Sequence, residues 1–349
     1  MARKKGTLSR AAALVNEINS TLGTEVRLGN DERFEIVRIP TGSLVLDRIT
    51  GGGFALGRHV EIYGDESAGK SYVAYRAMAL SQQRGNLCAL IDPEHAFDRH
   101  WFDHLGGVPT ELLTFHPANA EDAVAVMMLL AGKDDLEIVT TDSVASLIPT
   151  EESVKDPREE DRIAAQARMM SRALRRITAL NRRVLFLWVN QERTNVGIRF
   201  GNPRVTSGGR ALKFYATTRI EMRKGELAKS KRRVAAKGKL VARDVPVARW
   251  IQCRVEKDKS TRPYREGSFL FDGDTGSIDE ASEIINLGLE DEVIERVGNS
   301  LDYEDLDGRS WRATQSRFTA WLRDNEGLRN EIVGVIQDQT IREGVYGDG

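Results

Sequence analysis

The stretch that most limits what this chain can fold into is Gly64-Asp65-Glu66-Ser67-Ala68-Gly69-Lys70-Ser71, set between the apolar run His59-Val60-Glu61-Ile62-Tyr63 and an alanine-rich helical segment. A glycine-framed turn between a strand and a helix lets backbone N–H groups converge on a phosphate chain, with the positive end of the helix behind them. Lys70 adds a mobile cation and Ser71 an oxygen ligand for Mg²⁺, so Asp65, Glu66, Ser67, Ala68, Gly69, Lys70 and Ser71 together read as a nucleotide-binding loop.

The rest of the chain supplies the sheet that such a loop needs. Apolar runs at 59–63, 87–91, 136–141 and 184–189 alternate with helical stretches at 71–84, 119–132 and 164–181. Runs apolar at nearly every position suit strands covered on both faces, so the expected class is α/β, a P-loop ATPase core with a mostly parallel, helix-flanked sheet. Parallel strands deliver their carboxyl ends to one edge, here Gly64, Asp92 with Glu94, Asp142-Ser143 and Asn190-Gln191. Asp142 has the position of an acid that orients a Mg²⁺-bound water. Glu94, at a neighbouring strand end, can take the proton of a water attacking a γ-phosphate and is the candidate general base. His100 and His104 share a helical face near His95, but no cysteine or further histidine completes a metal shell, and no metal centre is expected there.

A chain of 349 residues, 40% hydrophobic, has room for one large core and a smaller satellite. The expected division is 1–35 as an N-terminal helix and linker, 36–275 as the ATPase core, and 276–349 as a small α/β domain. Leu8, Ala12, Val15, Ile18 and Leu22 recur at helical spacing before Gly23, and this amphipathic helix packs either on a neighbouring subunit or on its own domain. With 51 Lys and Arg against 52 Asp and Glu, any nucleic-acid partner must be met by local clusters. The segment 191–213 is such a cluster: Arg193, Arg199, Arg204, Arg210 and Lys213 stand against Glu192, with Gly208 and Gly209 among its glycines. The basic stretch 224–243 reads either as a hairpin near DNA or as a solvated arm. Cys88 and Cys253 argue no disulfide framework and fit a reducing, intracellular setting. The longest apolar run, Val184 to Val189, is far too short to span a membrane, and a soluble chain is expected.

Several longer segments are similar to those of a known family. Ile39-Pro-Thr-Gly-Ser-Leu-Val-Leu-Asp47, the phosphate loop with its preceding strand, Ile91-Asp-Pro-Glu-His-Ala-Phe-Asp98, Ala165-Gln-Ala-Arg-Met-Met-Ser171, Phe200-Gly-Asn-Pro203 and Gly208-Gly-Arg-Ala-Leu-Lys-Phe-Tyr-Ala216 resemble the RecA-type homologous-recombination proteins, bacterial and phage-encoded. The resemblance implies an ATP-dependent recombinase that forms a helical filament on single-stranded DNA, uses ATP and Mg²⁺, and exchanges strands with homologous double-stranded DNA in the bacterial cytoplasm, that of a phage-infected cell included. It also implies roles for individual residues. Gln191 senses the γ-phosphate, Trp101 stacks on adenine beside Asp98, and Lys257 and Lys259 reach the γ-phosphate of an adjacent subunit. Arg168, Ser171 and Arg175 contact the DNA backbone, Ile163 and Val196 wedge between base triplets, and Arg193, Arg199, Gly208, Gly209 and Arg210 belong to the second DNA-binding loop. Asp65 departs from the pattern, standing where the family usually has proline. A ring-forming motor of the same core, such as a helicase, and a P-loop small-molecule kinase are the competing readings. The helix before the core and the Lys257-x-Lys259 pair favour a filament over a ring, and the arginine-rich loop opposes a metabolite pocket.

Overall fold

In the computed structural model, which describes residues 2–31, 34–150, 159–194, 204–236 and 239–344, with side chains described outside 2–8, 159–163, 193–205, 231–243 and 343–344, alternate residues of each parallel strand feed two different apolar layers. Val60, Ile62, Cys88, Leu90, Ile138, Leu185, Leu187 and Val189 face one layer, which includes Val73 and Met78 of the helix Lys70–Gln83. Ala89, Ile91, Val139, Phe186 and Trp188 face the other, with Met127 of the helix Ala120–Ala131 and Met170, Leu174 and Ile177 of the helix Glu159–Leu180. Two covered faces are why these strands read as near-continuous apolar runs. Each large side chain buried there contributes about 1.5–3 kcal/mol.

Among the described residues the main sheet has ten strands. From one edge the order is Leu112–Phe115, Leu87–Ile91, Leu136–Asp142, Leu185–Thr194, His59–Gly64 and Thr218–Ala236, each parallel to its neighbour. The sheet continues antiparallel through Lys239–Asp258, Glu266–Asp272 and Ser277–Ile278, and the short strand Arg204–Thr206 pairs with the end of Leu185–Thr194. The stretches 224–236 and 239–243 therefore run along a long antiparallel pair, joined down to Ala236 opposite Lys239.

Local signals set the helix starts. Asn119 accepts the Asp122 N–H at the head of Ala120–Ala131, and Ser43 accepts the Leu46 N–H at the head of Leu44–Thr50, each satisfying an amide that the helix leaves without a partner. Beyond the main sheet come the helix Glu280–Glu290, three short strands within 295–314, and the helices Gln315–Asp324 and Glu326–Gly344. Ile284, Leu301, Phe318, Leu322 and Ile332 of this region share one apolar cluster with the helix Lys70–Gln83.

The chain divides into two compact units, Met1–Val37 and Arg38–Gly349. In the first, the helix Ala2–Leu22 ends at Gly23, whose φ of 61° suits the left-handed turn after a helix. Asn19 anchors the chain just past that turn, since its side chain accepts from the Val26 N–H and donates to the Val26 carbonyl. Among the described residues no helix is long and apolar enough to cross a membrane.

Candidate active site

The phosphate loop leaves the central strand under tight steric control. Gly64 has φ of 134°, and a Cβ there would lie 2.1 Å from the Met222 carbonyl oxygen. Only glycine fits, because the neighbouring strand also takes the Asp65 N–H on that oxygen at 3.0 Å. Ser67 and Gly69 both adopt left-handed backbone, and no side chain caps the helix that begins at Lys70. Its first-turn amides are thus left to the loop, the arrangement that suits a bound anion.

Lys70 is only 7% exposed. Its ammonium donates to the carbonyls of Gly64 at 3.3 Å and Asp65 at 2.5 Å. Burial pushes its pKa down, against the pull of Asp142, Asp65, Glu66 and Glu192. Asp142, at the end of the strand Leu136–Asp142, is pushed up to about 6 by burial, with a hydrogen bond from Ser71 opposing the shift and Glu94 and Asp92 adding to it. A hydroxyl and a reluctantly charged carboxylate in contact make an oxygen pair that a hard cation satisfies, and one or two protein oxygens are what Mg²⁺ ordinarily takes. The residues fit the ion.

Glu94 projects from the turn after Leu87–Ile91 and is exposed. Asp92, fully buried, shapes that turn by accepting from the Ala96 and Phe97 amides, while His116 Nδ1 donates to the Asp92 carbonyl at 3.1 Å and the His116 ring stacks on His95 at 4.6 Å. The Glu94 carboxylate accepts from the hydroxyls of Ser143 at 2.5 Å and Ser146 at 2.8 Å. Two donors orient it. Sequence reading placed Ser143 at the strand end beside Asp142 but missed Ser146 and the hold of both serines on Glu94.

Gln191 is exposed and stands in register with Gly64 on the adjoining strand. The residue before it is the better anchored. Asn190 is fully buried, accepts the Gln191 N–H, and donates to both Glu61 and the Ser207 carbonyl at 2.9 Å. Glu61 is in turn paired with Arg219 at 2.5 Å, and the Arg219 guanidinium lies over the Tyr63 ring. An unpaired charge in this layer would cost several kcal/mol, roughly, so Glu61 inside an apolar run was itself a signal that a partner had to exist.

Asp98 serves first as a helix cap, accepting from the His100 and Trp101 amides, and those bonds hold its carboxyl below the usual range. Trp101 packs on Tyr75 with ring centroids 5.3 Å apart. Of the residues read as DNA contacts, Arg168 and Arg175 are exposed and Ser171 is half-buried on the helix Glu159–Leu180. Arg210 is exposed in the first turn of the helix Gly209–Tyr215. Gly208 and Gly209 have a packing reason as well: a Cβ on Gly209 would lie 2.6 Å from that of Ala167, and the Gly208 N–H donates to Gln166. Val196 and Arg199 lie outside the described residues, as do the side chains of Ile163 and Arg193.

Lys257 and Lys259 are elsewhere. Both donate to carbonyls closing the helix Gly209–Tyr215, Lys257 to Lys213 and Phe214 and Lys259 to Phe214. Burial, followed by the charges of Lys259 and Arg219, pushes Lys257 down to about 8. Register fixes their distance from the loop. Lys257 and Asp258 stand opposite Arg219 and Thr218, and Thr218 opposite Val60, whereas Gly64 aligns with Met222. Four residues of strand, about 13 Å, thus separate the lysine end of the sheet from the phosphate-loop end. The lysines are on the amino-end edge of the sheet that carries the loop on its carboxyl-end edge.

The family described as the RecA N-terminal domain matches residues 9–272. The chain is 36% identical over 321 residues to Protein RecA of Frankia alni, spanning 91% of this chain and 88% of that protein. It is 36% identical to Protein RecA of Bacteroides thetaiotaomicron over 325 residues, 92% and 93% of the two chains. For Protein RecA of Thermotoga petrophila the identity is 35% over 343 residues, 97% and 92%.

Proposed function

The chain belongs to the RecA family and is an ATP-dependent DNA recombinase, and we propose that it works as a helical filament on single-stranded DNA in which each ATP is hydrolysed between two copies. In that filament the chain pairs the bound strand with homologous double-stranded DNA and exchanges strands, within the bacterial cytoplasm. Residues 1–35 act as the polymerising arm, 36–275 as the ATPase core and 276–349 as a small C-terminal domain. The observation that carries the reading is the separation of Lys257 and Lys259 from the phosphate loop within one chain. Cations on the wrong edge for their own site are on the right edge for a neighbour's.

At each site the loop amides and Lys70 hold the phosphates, with Asp65, Glu66, Ser67, Ala68 and Gly69 forming the cradle. Glu94, held by two serine hydroxyls, accepts the proton of the attacking water. When bound through Ser71, with Asp142 beside it, Mg²⁺ supplies charge neutralisation at the phosphate oxygens. Gln191 reports the γ-phosphate to the loop that begins just beyond it, whose two ends Asn190 ties to one point. Trp101 offers its indole face to the base, with Asp98 alongside. Lys257 and Lys259 of the neighbouring copy complete the charge around the transferring group.

Backbone contacts from Arg168, Ser171, Arg175, Arg193, Arg199 and Arg210 grip phosphates, the loop glycines Gly208 and Gly209 allow close approach, and Ile163 and Val196 separate base triplets. Such recognition leaves base edges free for pairing to read. Exposed Leu14 and Leu22 on the N-terminal helix, and an open apolar groove lined by Val124, Met128, Leu129, Met169 and Leu180 on the core, support assembly of copies. A ring-forming motor is not favoured, because similarity to RecA proteins runs over nine-tenths of the chain. Electron microscopy with ATP and single-stranded DNA tests the reading: helical filaments are expected, and closed rings or unassembled protein would overturn it.

A further inference from the structure

An acid in a loop built for a polyanion needs an explanation, and Asp65 is such an acid. Its backbone belongs to the cradle, with its carbonyl taking the Lys70 ammonium. Its side chain turns the other way. Oδ2 accepts the Lys224 N–H at 3.0 Å and Oδ1 lies 3.8 Å from Nη1 of Arg223, both at the start of the long antiparallel pair. Arg223, about a quarter exposed, also reaches Glu192 at 3.5 Å and pairs with Glu221. One guanidinium thus stands among three carboxylates from three segments: the phosphate loop, the strand end just past Gln191, and its own strand.

We propose that Arg223 is a positioning residue for the phosphate loop, holding the Asp65 carboxylate against the strand Thr218–Ala236 and away from the bound phosphates. The inference rests on the nucleotide reading of the loop. A carboxylate free to swing toward a triphosphate repels it, and the repulsion grows as solvent is excluded. Tied to Arg223 and the Lys224 amide, the same carboxylate has its charge offset and its direction fixed. The contact to Glu192 extends the tie to the first residues of the arginine-rich loop, so the loop that holds phosphate and the loop beyond Gln191 share one cation.

The test is a double-mutant cycle read by equilibrium binding of a fluorescent ATP analogue with Mg²⁺, without DNA, on the full chain. Arg223→Ala should weaken binding about fivefold at low salt, and the loss should shrink to less than about twofold in an Asp65→Asn background, because the acid to be restrained is then gone. Arg223→Lys should recover most of the affinity, and raising the salt should narrow the gap between wild type and Arg223→Ala. Equal loss from Arg223→Ala in both backgrounds would overturn the proposal, since it would trace the effect to Glu192 and Glu221 or to general damage. If Arg223→Ala does not fold, Arg223→Lys and Arg223→Gln in the two Asp65 backgrounds carry the same comparison. A wild-type chain that binds neither ATP nor ADP would refute the nucleotide reading itself and this inference with it, whereas a binding wild type with an additive cycle refutes this inference alone.

Discussion

The two edges of the central sheet carry opposite chemistry. At the carboxyl ends of the parallel strands stand Asp65, Glu66 and Asp142 near the buried Lys70, with Asp92 and Glu94 near Asp142. At the amino end of the phosphate-loop strand stand Lys257 and Lys259, with Arg219 beside them. The carboxyl edge has a cradle, a carboxylate oriented by two serines and the buried Lys70; at the amino edge Lys257 and Lys259 hold helix carbonyls, while Arg219 pairs with Glu61. Under the proposed reading, the difference makes the unit of chemistry an interface between copies, where one chain's amino edge meets another's carboxyl edge.

The largest expected effect separates two functions within the carboxyl edge. Lys70→Ala removes a cation able to make two charge-assisted bonds of about 1.5–3 kcal/mol each, so nucleotide affinity should fall about 100-fold or more. Glu94→Gln removes only the base, so affinity should stay near wild type while turnover drops about 10²–10⁴-fold. Calorimetric binding and steady-state ATPase assays on both variants check this, and equal loss of binding would break the assignment of Glu94.

Much of this edge was legible in the sequence. The four apolar runs, the phosphate loop and the polar groups at the end of each run could be read directly, because strands buried on both faces leave a continuous apolar trace and parallel packing forces their carboxyl ends together. Other features were hidden for physical reasons. The strands Thr218–Ala236 and Lys239–Asp258 are rich in lysine and arginine where they leave the sheet, so no apolar alternation marks the pair. Leu112–Phe115 is four residues long, too short for its periodicity to stand out. Glu283 would be read as a solvated helix residue, yet it is 2% exposed and accepts from the Ser43 hydroxyl and the amides of Leu44 and Val45. No local pattern shows a partner some 240 residues away in the chain. Ser146, Arg219 and the contact of Ser143 with Glu94 escaped because their partners, too, are distant in the chain.

The two edges also titrate apart. Asp142 has its pKa raised to about 6, so its charge, which favours Mg²⁺, is present above that pH and lost as pH falls through it. Mg²⁺-dependent nucleotide affinity should therefore drop below about pH 6, and Asp142→Asn should abolish that pH limb. The same shift makes burial of the charged carboxylate a cost to the ligand-free fold, largest above pH 6, so Asp142→Asn should raise the melting temperature at pH 7–8. Lys257, lowered to about 8, is partly neutral in an isolated copy above that pH. A facing γ-phosphate favours its charged form, so assembly with ATP at pH 8–9 should take up protons, which titration calorimetry in buffers of different ionisation enthalpy measures.

A smaller effect concerns the exposed arginines of the helix Glu159–Leu180. Arg168→Ala and Arg175→Ala should each reduce the slope of log affinity for single-stranded DNA against log salt by about 0.7, without creating a preference for any base sequence. An unchanged slope would remove these residues from the DNA path and leave the nucleotide assignments standing.

The central claim, a site assembled from two edges of two copies, is tested most directly by ATPase complementation. Lys257→Ala/Lys259→Ala and Glu94→Gln should each be inactive on single-stranded DNA, the first through the amino edge and the second through the carboxyl edge. Mixed in equal amounts, they form some interfaces in which an intact Glu94 faces intact lysines. Random co-assembly should make that true of one interface in four, returning about a quarter of wild-type activity. A mixture that stays inactive although co-filaments form, or a lysine variant that alone hydrolyses ATP at the full rate, would contradict the account.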